Sequence, residues 1–512
     1  MVINADMKLW FKLHYSLFII LTLAAALRVN LLFVRGTWWF DEMFSVHYSL
    51  LPWGKAIQYW LLENNPFLYN LVLRGWINIF GQGETTVRIP SLIFGLATII
   101  FVYYIAQRWF SRRAAAVSSP IISLSGIHLF VSVETRTYTL FTLLTTLSFY
   151  WFIKIFVEQK TGRWTWWLFF LTQVALLYSH LTALTVIIIQ ALALVYFKTT
   201  ERATRRKFLL TQFFSLLIWS FWFIPSLLPK LNSRSFYGWF FTYDSESSNI
   251  LTILNTLFIN TNISEFVFTL FAIILLGTIF YAFKIFPRQD HKNKSILFIL
   301  MLWSFVPALL GAFLGQYVTK YFVFSLPGFA LLIAWTFDQI ADKTTKLAVT
   351  ALFIVIFIPS TMTIATSQIF SWHTITKYIE KNEAPRSAIL VIPFNEELVI
   401  KKYYRGLIPV EGVYPMQDNL DLEERIVRYN WQTLLSSGEE FETWMTEHTK
   451  NRDKIFFLQY DNFESSGIIW FVNNGWKFKK KIRAAGHIGI TMFEFNAPDY
   501  HQTTSSTNAQ AN

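Results

Sequence analysis

The chain has 512 residues, of which 54% are hydrophobic and 15% charged, and a net charge of +12. That balance, with its positive mean hydropathy, excludes an ordinary soluble protein and leaves a chain that spans a bilayer. In a soluble protein the basic excess would suggest nucleic acid; here the basic residues lie in clusters between apolar runs, so the expected surroundings are lipid bilayer and no nucleic acid.

A hydrocarbon core about 30 Å thick takes roughly 20 apolar residues per helix. Such runs recur from residue 14 to about 367 and give about eleven spans, centred near residues 24, 98, 123, 147, 172, 190, 218, 274, 305, 329 and 357. Basic clusters fall in every second loop: Arg108/Arg112/Arg113, Lys154/Lys160/Arg163, Lys198 to Lys207, Lys284 to Lys294, and Lys343/Lys346. Cytoplasmic loops carry that excess. With Lys8 and Lys12 the N-terminus joins the same side, and an odd number of spans puts the C-terminal region outside the cytoplasm. The first run is interrupted by Arg28 and Asn30 with no small-residue cleavage pattern after it, so it reads as a retained span. The expected location is the plasma (inner) membrane, crossed many times. Absence of cysteine removes disulfides and thiolate metal sites.

Residues 1–368 therefore read as a transmembrane domain with an outer loop, 35–87, rich in Trp, Phe and Tyr. Within it Leu50–Trp60 and Phe67–Phe80 have the pattern of short amphipathic helices in the interface. A second outer loop, 229–263, is polar enough to gate a site. Composition then changes, and residues 369–497 read as a soluble extracytoplasmic α/β domain. Ser387–Pro393, Lys454–Gln459 and Gly486–Asn496 are its strand candidates. Residues 498–512, rich in Thr, Ser, Asn and Gln, have the composition of a disordered tail.

Trp38-Trp39-Phe40-Asp41-Glu42 puts two adjacent carboxylates straight after the first span, beside aromatic side chains. Acids at the edge of a span cost free energy and call for a reason. By the topology above, Arg88, Arg136 and Lys320 lie on the same outer face, where few basic residues belong. Each alone reads as a snorkelling head group. Together they make a positive field suited to a phosphate-bearing ligand. His180, in Tyr178-Ser179-His180, is a further candidate at an outer turn. Asp41 and Glu42 could hold Mg²⁺ or Mn²⁺; with cations already present, no metal is required and no cofactor is certain.

The run from Arg28 through Trp39-Phe40-Asp41-Glu42, Asn65-Pro66-Phe67-Leu68-Tyr69, Phe80-Gly81 and Val87-Arg88-Ile89-Pro90-Ser91 resembles the family 39 glycosyltransferases. These include the protein O-mannosyltransferases, with the lipid A aminoarabinose transferases as relatives in the C-type superfamily. Glu134-Thr135-Arg136-Thr137-Tyr138, Tyr178-Ser179-His180 and Lys320-Tyr321 with Ser325-Leu326-Pro327 continue the likeness in order, over residues 10–340. Phe67, Gly126 and Lys320 depart from that pattern, Lys320 replacing an arginine and offering phosphate a point charge rather than a fork.

The resemblance implies a polytopic α-helical membrane protein with a C-terminal outer domain. It also implies transfer of a sugar from an outward-facing polyprenyl-phosphate donor to an acceptor hydroxyl on a lipid, glycan or protein. Asp41 then matches the base, with Glu42 holding it or orienting the acceptor. Arg88, Arg136, Lys320, Tyr321 and His180 would bind the donor phosphate, with Glu134, Tyr138, Arg28 and Asn65 as secondary candidates. A single displacement inverts the anomeric carbon. A transporter is the main alternative, although its ionisable residues would sit nearer mid-membrane. An oligosaccharide-transferring relative would carry Trp-Trp-Asp-Tyr-Gly in the soluble domain, which residues 370–496 lack.

Overall fold

A computed structural model describes residues 5–197, 201–230, 250–258, 265–314, 318–366, 371–414, 420–428, 437–461, 466–484 and 489–498. Most of the 229–263 loop and nearly all of the 498–512 tail lie outside the described residues. The chain divides into two compact units: Met1–Val34 with Phe44–Ser367, and Arg35–Met43 with Gln368–Asn512. The sequence reading placed residues 35–43 in the transmembrane domain, but they cluster with the C-terminal module.

The first unit is helical. In chain order its helices are α1 (Ala5–Val34), α2 (Phe40–Leu50), α3 (Trp53–Leu62), α4 (Leu68–Phe80), α5 (Ile89–Trp109), α6 (Arg112–Leu124), α7 (Gly126–Ser132) and α8 (Tyr138–Phe156). Then come α9 (Arg163–Leu177), α10 (Ala183–Tyr196), α11 (Arg202–Ser226), α12 (Ile250–Phe258), α13 (Glu265–Ile285), α14 (His291–Phe313), α15 (Leu326–Asp338) and α16 (Lys343–Thr366). The boundary between the units falls inside α2, after Met43. Pro52 separates α2 from α3, so the helix expected over 50–60 is α3, starting at Trp53, while Leu50 ends α2.

Helices occupy all eleven expected centres, but length qualifies fewer as spans. Among the described residues eight helices are long and apolar enough to cross a bilayer, or nine if the bent pair α6–α7 counts as one. The helices near 172 and 190 have 15 and 14 residues. At 1.5 Å per residue they fall short of a hydrocarbon core about 30 Å thick. Helix length therefore does not establish a count of eleven. The exposed faces suit lipid: Phe33, Phe221, Phe280 and Phe313 are all at least 72% accessible, which hydrocarbon accepts and water would not. Inside, Gln190 accepts from Gln173 at 2.6 Å and from Gln212 at 3.2 Å and donates to Ser148 at 2.6 Å. That network binds α8, α9, α10 and α11 through side-chain hydrogen bonds, as small polar groups do between membrane helices.

The bend of 64° between α6 and α7 has a local cause. Pro120 lies inside α6, and the ladder stops at Ser125, which caps α7 by accepting from the His128 amide at 3.3 Å. The stop frees the Ser123 carbonyl, and Arg28 of α1 donates to it at 3.3 Å.

The second unit holds a five-stranded sheet of β1 (Ser387–Ile392), β2 (Val410–Gly412), β3 (Lys454–Tyr460), β4 (Lys477–Arg483) and β5 (Ile490–Asn496), in the order β2-β1-β3-β5-β4. β1 runs parallel to β2 and β3, while β5 is antiparallel to β3 and β4. Helices α20 (Glu439–Thr449) and α21 (Ser466–Asn473) cover one face, burying Phe441, Trp444 and Phe471 against Leu390, Phe457 and Phe495. Helix α17 (His373–Asn382) serves the other, where Tyr378 donates to Glu494 of β5 at 2.6 Å. Two further helices are α18 (Glu396–Tyr403) and α19 (Leu422–Arg428). The α/β reading of this module holds; the strands missed were β2, of three residues, and β4, Lys-Phe-Lys-Lys-Lys-Ile-Arg. β4 shows the lysine-rich character of a protected sheet edge.

Candidate active site

In the helical unit, most of the expected ligand-binding residues meet around His180. Its imidazole stacks on Phe141, with centroids 5.2 Å apart, and packs against Tyr138 at 5.7 Å and Tyr321 at 5.3 Å. The Thr182 amide donates to His180 Nδ1 at 3.2 Å, which assigns the proton to Nε2. Nε2 is buried and has no hydrogen-bond partner among the described residues. Burial, with the neighbouring charges of Arg136 and Lys320, pushes the imidazole down to about 3. His180 is therefore a neutral N–H donor flanked by two cations, and not a third cation.

Lys320 opens the turn Thr319–Ser325 that leads into α15, placing Tyr321 in the same turn. Its ammonium lies 3.8 Å from the buried carboxylate of Glu134 and 5.3 Å from the Tyr138 ring centroid. Arg136 belongs to the tight link between α7 and α8, where its amide donates to Glu134 O at 2.7 Å. Its guanidinium approaches Ser45 Oγ at 3.4 Å and sits 5.9 Å above the Phe44 ring. Backbone contacts hold these pieces in register. Thr137 donates to the Ser179 carbonyl at 2.7 Å, and the Leu68 amide donates to the Tyr178 carbonyl at 3.0 Å. Ser91, three residues after Arg88, donates to the Arg136 carbonyl at 3.2 Å and contacts Tyr69 Oη at 2.7 Å. Arg88 is buried in the turn Thr86–Arg88 at the start of α5.

Two secondary candidates fare differently. Arg28 is fully buried, and its hydrogen bonds go to His128 Nδ1 at 2.8 Å, Ala24 O at 3.1 Å and Ser123 O at 3.3 Å. That makes it a brace for the α6–α7 break, outside the cluster around His180. Asn65 is half-buried beside Pro66, with Oδ1 lacking a hydrogen-bond partner among the described residues.

The acid pair lies in the second unit. Glu42 and Met43 amides donate to Trp39 O at 3.1 and 3.0 Å, so Asp41 and Glu42 fall in the first turn of α2, where the helix dipole favours carboxylates. Glu42 is fully buried, with Oε1 4.0 Å from Nε of the equally buried Arg35. The segment is tied to the C-terminal module. Trp38 donates its amide to Tyr403 Oη at 2.7 Å, Trp372 Nε1 donates to Trp38 O at 3.2 Å, and the Trp372 amide donates to Thr37 Oγ1 at 3.2 Å. Lys402 lies 5.0 Å from the Trp38 ring centroid.

Sequence reasoning missed Arg35 and Glu396. Glu396 opens α18, is 1% exposed and accepts a hydrogen bond from Tyr460. Burial first, with the neighbouring Asp41 charge adding, pushes its carboxyl up to about 8 against the opposing Tyr460 bond. Arg35 reads in sequence as one more basic residue at a span end. Glu396-Glu397 reads as the solvated start of a helix. Among the described residues no group of three or more His, Cys, Asp or Glu could hold a metal ion. Arg35 lies beside Glu42, and no step below passes through a metal.

Residues 64–225 match the family model described as dolichyl-phosphate-mannose-protein mannosyltransferase. No curated protein matches the chain significantly. Among solved structures, ArnT from Cupriavidus metallidurans bound to undecaprenyl phosphate is similar at a TM-score of 0.61 and 11% identity, over 94% of this chain and 98% of that one. The same protein in its apo state gives 0.60 at 11% identity, over 93% and 97%. The Archaeoglobus fulgidus oligosaccharyltransferase in complex with Zn and sulfate gives 0.51 at 12% identity, over 86% and 67%. The chain is a multi-pass membrane protein with the fold of the C-type membrane glycosyltransferases, and its residues 64–225 match the protein mannosyltransferase family model.

Proposed function

We propose that the protein is an inverting glycosyltransferase that moves a hexosyl or pentosyl group from a polyprenyl-phosphate donor to an acceptor hydroxyl on a lipid, glycan or protein. The observation that carries the reading is the cluster of Arg136 and Lys320 around a neutral His180, walled by Tyr138, Phe141 and Tyr321. Two cations and an N–H donor among aromatic rings suit a phosphate that gains charge as its bond to sugar breaks. That ArnT structure holds undecaprenyl phosphate supports a donor of this class.

In the reaction so read, Asp41 takes the acceptor hydroxyl proton while the acceptor oxygen bonds to the anomeric carbon. The bond from that carbon to the phosphate oxygen breaks, and the phosphate leaves with the electron pair. One displacement inverts the configuration. Arg88, Arg136 and Lys320 stabilise the leaving phosphate, and Glu42, held by Arg35, keeps Asp41 in place. Glu134 anchors the Lys320 ammonium. The chemistry is assigned to the outer face of the plasma (inner) membrane, with the N-terminus cytoplasmic and the C-terminal module extracytoplasmic.

The test is to supply membranes containing the protein with polyprenyl-phosphate hexoses and pentoses labelled in the sugar. Protein-dependent movement of label to a new acceptor, with release of polyprenyl phosphate, is the expected result. Label that crosses the bilayer still attached to polyprenyl phosphate would instead identify a transporter.

A further inference from the structure

The backbone around Arg136 and His180 is joined by a closed circuit of hydrogen bonds that begins and ends on α4. Tyr69, the second residue of that helix, meets Ser91 Oγ at 2.7 Å, and Ser91 donates to the Arg136 carbonyl at 3.2 Å. A serine hydroxyl has one proton, and Ser91 gives it to Arg136, so the Tyr69 hydroxyl is the donor to Ser91. The next residue, Thr137, donates to the Ser179 carbonyl at 2.7 Å. The circuit returns through the Tyr178 carbonyl, which accepts from the Leu68 amide at 3.0 Å. Leu68 and Tyr69, the first two residues of α4, therefore hold both the Arg136 link and the turn that leads to His180. Tyr69 is 2% exposed and Ser91 fully buried, so their bond forms away from water and is stronger for it. The Arg136 amide donates to Glu134 O at 2.7 Å, so both backbone polar groups of Arg136 are engaged.

We propose that Tyr69 is a positioning residue for Arg136, acting through the hydroxyl of Ser91. The inference rests on the reading of Arg136 as a ligand of the donor phosphate. A buried tyrosine and serine can pair merely to satisfy two hydroxyls. Here the pair ends on the main chain of a candidate phosphate ligand, and the circuit closes on the turn that carries its partner, His180. An arginine side chain is long and rotamer-rich, so where its fork points depends on where its backbone is held. Ser91 holds that backbone. Tyr69 in turn sets the rotation of the Ser91 hydroxyl: with the Tyr69 proton on Oγ, the Ser91 proton is left to point at the Arg136 carbonyl. Bonds in such a chain polarise one another, so loss of the first weakens the second. Without the Tyr69 hydroxyl the circuit is cut on the Arg136 side only, and Arg136 can shift relative to His180.

The experiment measures Kd on the full chain in lipid nanodiscs, for undecaprenyl phosphate and for undecaprenol, which lacks the phosphate. Tyr69→Phe and Ser91→Ala should each weaken binding of undecaprenyl phosphate about 2- to 10-fold, the worth of one net hydrogen bond, and leave undecaprenol unchanged. In an Arg136→Gln background the same substitutions should have no further effect, because the group they place has gone. Tyr69→Phe keeps the ring and Ser91→Ala removes one oxygen, so both variants are expected to fold, and their binding of undecaprenol reports it. A purely structural role would weaken both lipids, and would do so in either background; that result overturns the inference. Weaker phosphate binding in Arg136→Gln, with none in Tyr69→Phe or Ser91→Ala, also overturns it and leaves the reading of Arg136 standing. Undecaprenyl phosphate binding unchanged by Arg136→Gln overturns that reading, and the inference falls with it.

Discussion

The backbone amide of Trp38 donates to the hydroxyl of Tyr403 at 2.7 Å, a bond between residues 365 positions apart. Through it, and through Trp372, the segment that carries Asp41 and Glu42 is held by the C-terminal module. In sequence that module follows the membrane helices as an appendix. In the fold it holds the segment that carries the acid pair.

Removing the Tyr403 hydroxyl tests this hold. Tyr403→Phe leaves the buried Trp38 amide without its acceptor, and such a loss costs about 1–3 kcal/mol. The expected outcome is a lower unfolding temperature and reduced transfer at unchanged donor KM. Tyr404→Phe is a poor control because Tyr404 has its own bond to Glu383. A Tyr403→Phe protein with unaltered melting would show that the segment is fixed by other contacts.

Glu396 gives a pH dependence of stability with a definite sign. Its folded value of about 8 lies above the ordinary 4.5, so the folded state binds more protons than the unfolded state between those limits. Stability contributed by the neutral carboxyl is complete below about 4.5 and declines as pH rises toward about 8. At 1.36 kcal/mol per pKa unit the loss is on the order of 4 to 5 kcal/mol. Glu396→Gln removes that slope, so denaturant unfolding of the variant should show a clear gain over wild type at about pH 8 and little at about pH 5. A parallel slope in the two proteins would assign the pH dependence elsewhere.

Lys320 and Glu134 are expected to be coupled. Lys320→Met removes the cation that lies 3.8 Å from the buried Glu134 carboxylate, and loss of one partner of a buried pair costs up to about 3–5 kcal/mol. The double variant Lys320→Met/Glu134→Gln should recover most of that stability yet stay impaired in donor binding, because the phosphate's cation is still missing. Additive losses in a double-mutant cycle would rule out coupling between the two residues.

Close helix packing next to the α6–α7 break can be probed at Gly95. A Cβ there would lie 2.5 Å from Ser132 Oγ and 3.1 Å from Ser132 Cβ, so Gly95→Ala makes Ser132 or the α5–α7 contact shift. Overpacking of this kind costs about 1–3 kcal/mol. Adding Ser132→Ala should restore part of the loss in a thermal-shift measurement in detergent. No destabilisation by Gly95→Ala would indicate that the two helices can separate freely.

Much of the helical unit was legible because apolar runs persist at the length a bilayer demands, and helices stand at every expected centre. The shortness of α9 and α10 was not legible, since neighbouring apolar residues extend their runs beyond the helix ends. Strands β1, β3 and β5 announced themselves through apolar and β-branched residues. β4 did not, since its charged sequence hides the pairing with β5. At the candidate site, the ordered motifs singled out Arg136, Lys320, Tyr321 and His180, which the helical unit brings near one another, but the neutrality of His180 depends on burial that no motif encodes. The ion pair of Arg35 with Glu42 and the burial of Glu396 are products of tertiary folding, and nothing local in the chain signals either.

The most direct measurement is the single-turnover rate of sugar transfer by Asp41→Asn, made with the polyprenyl-phosphate sugar that the wild-type protein consumes. General-base catalysis is worth about 10²–10⁴-fold, so the account predicts a fall of that size with donor binding intact. A rate within a few-fold of wild type, in a folded variant, would contradict the assignment of Asp41 as the base.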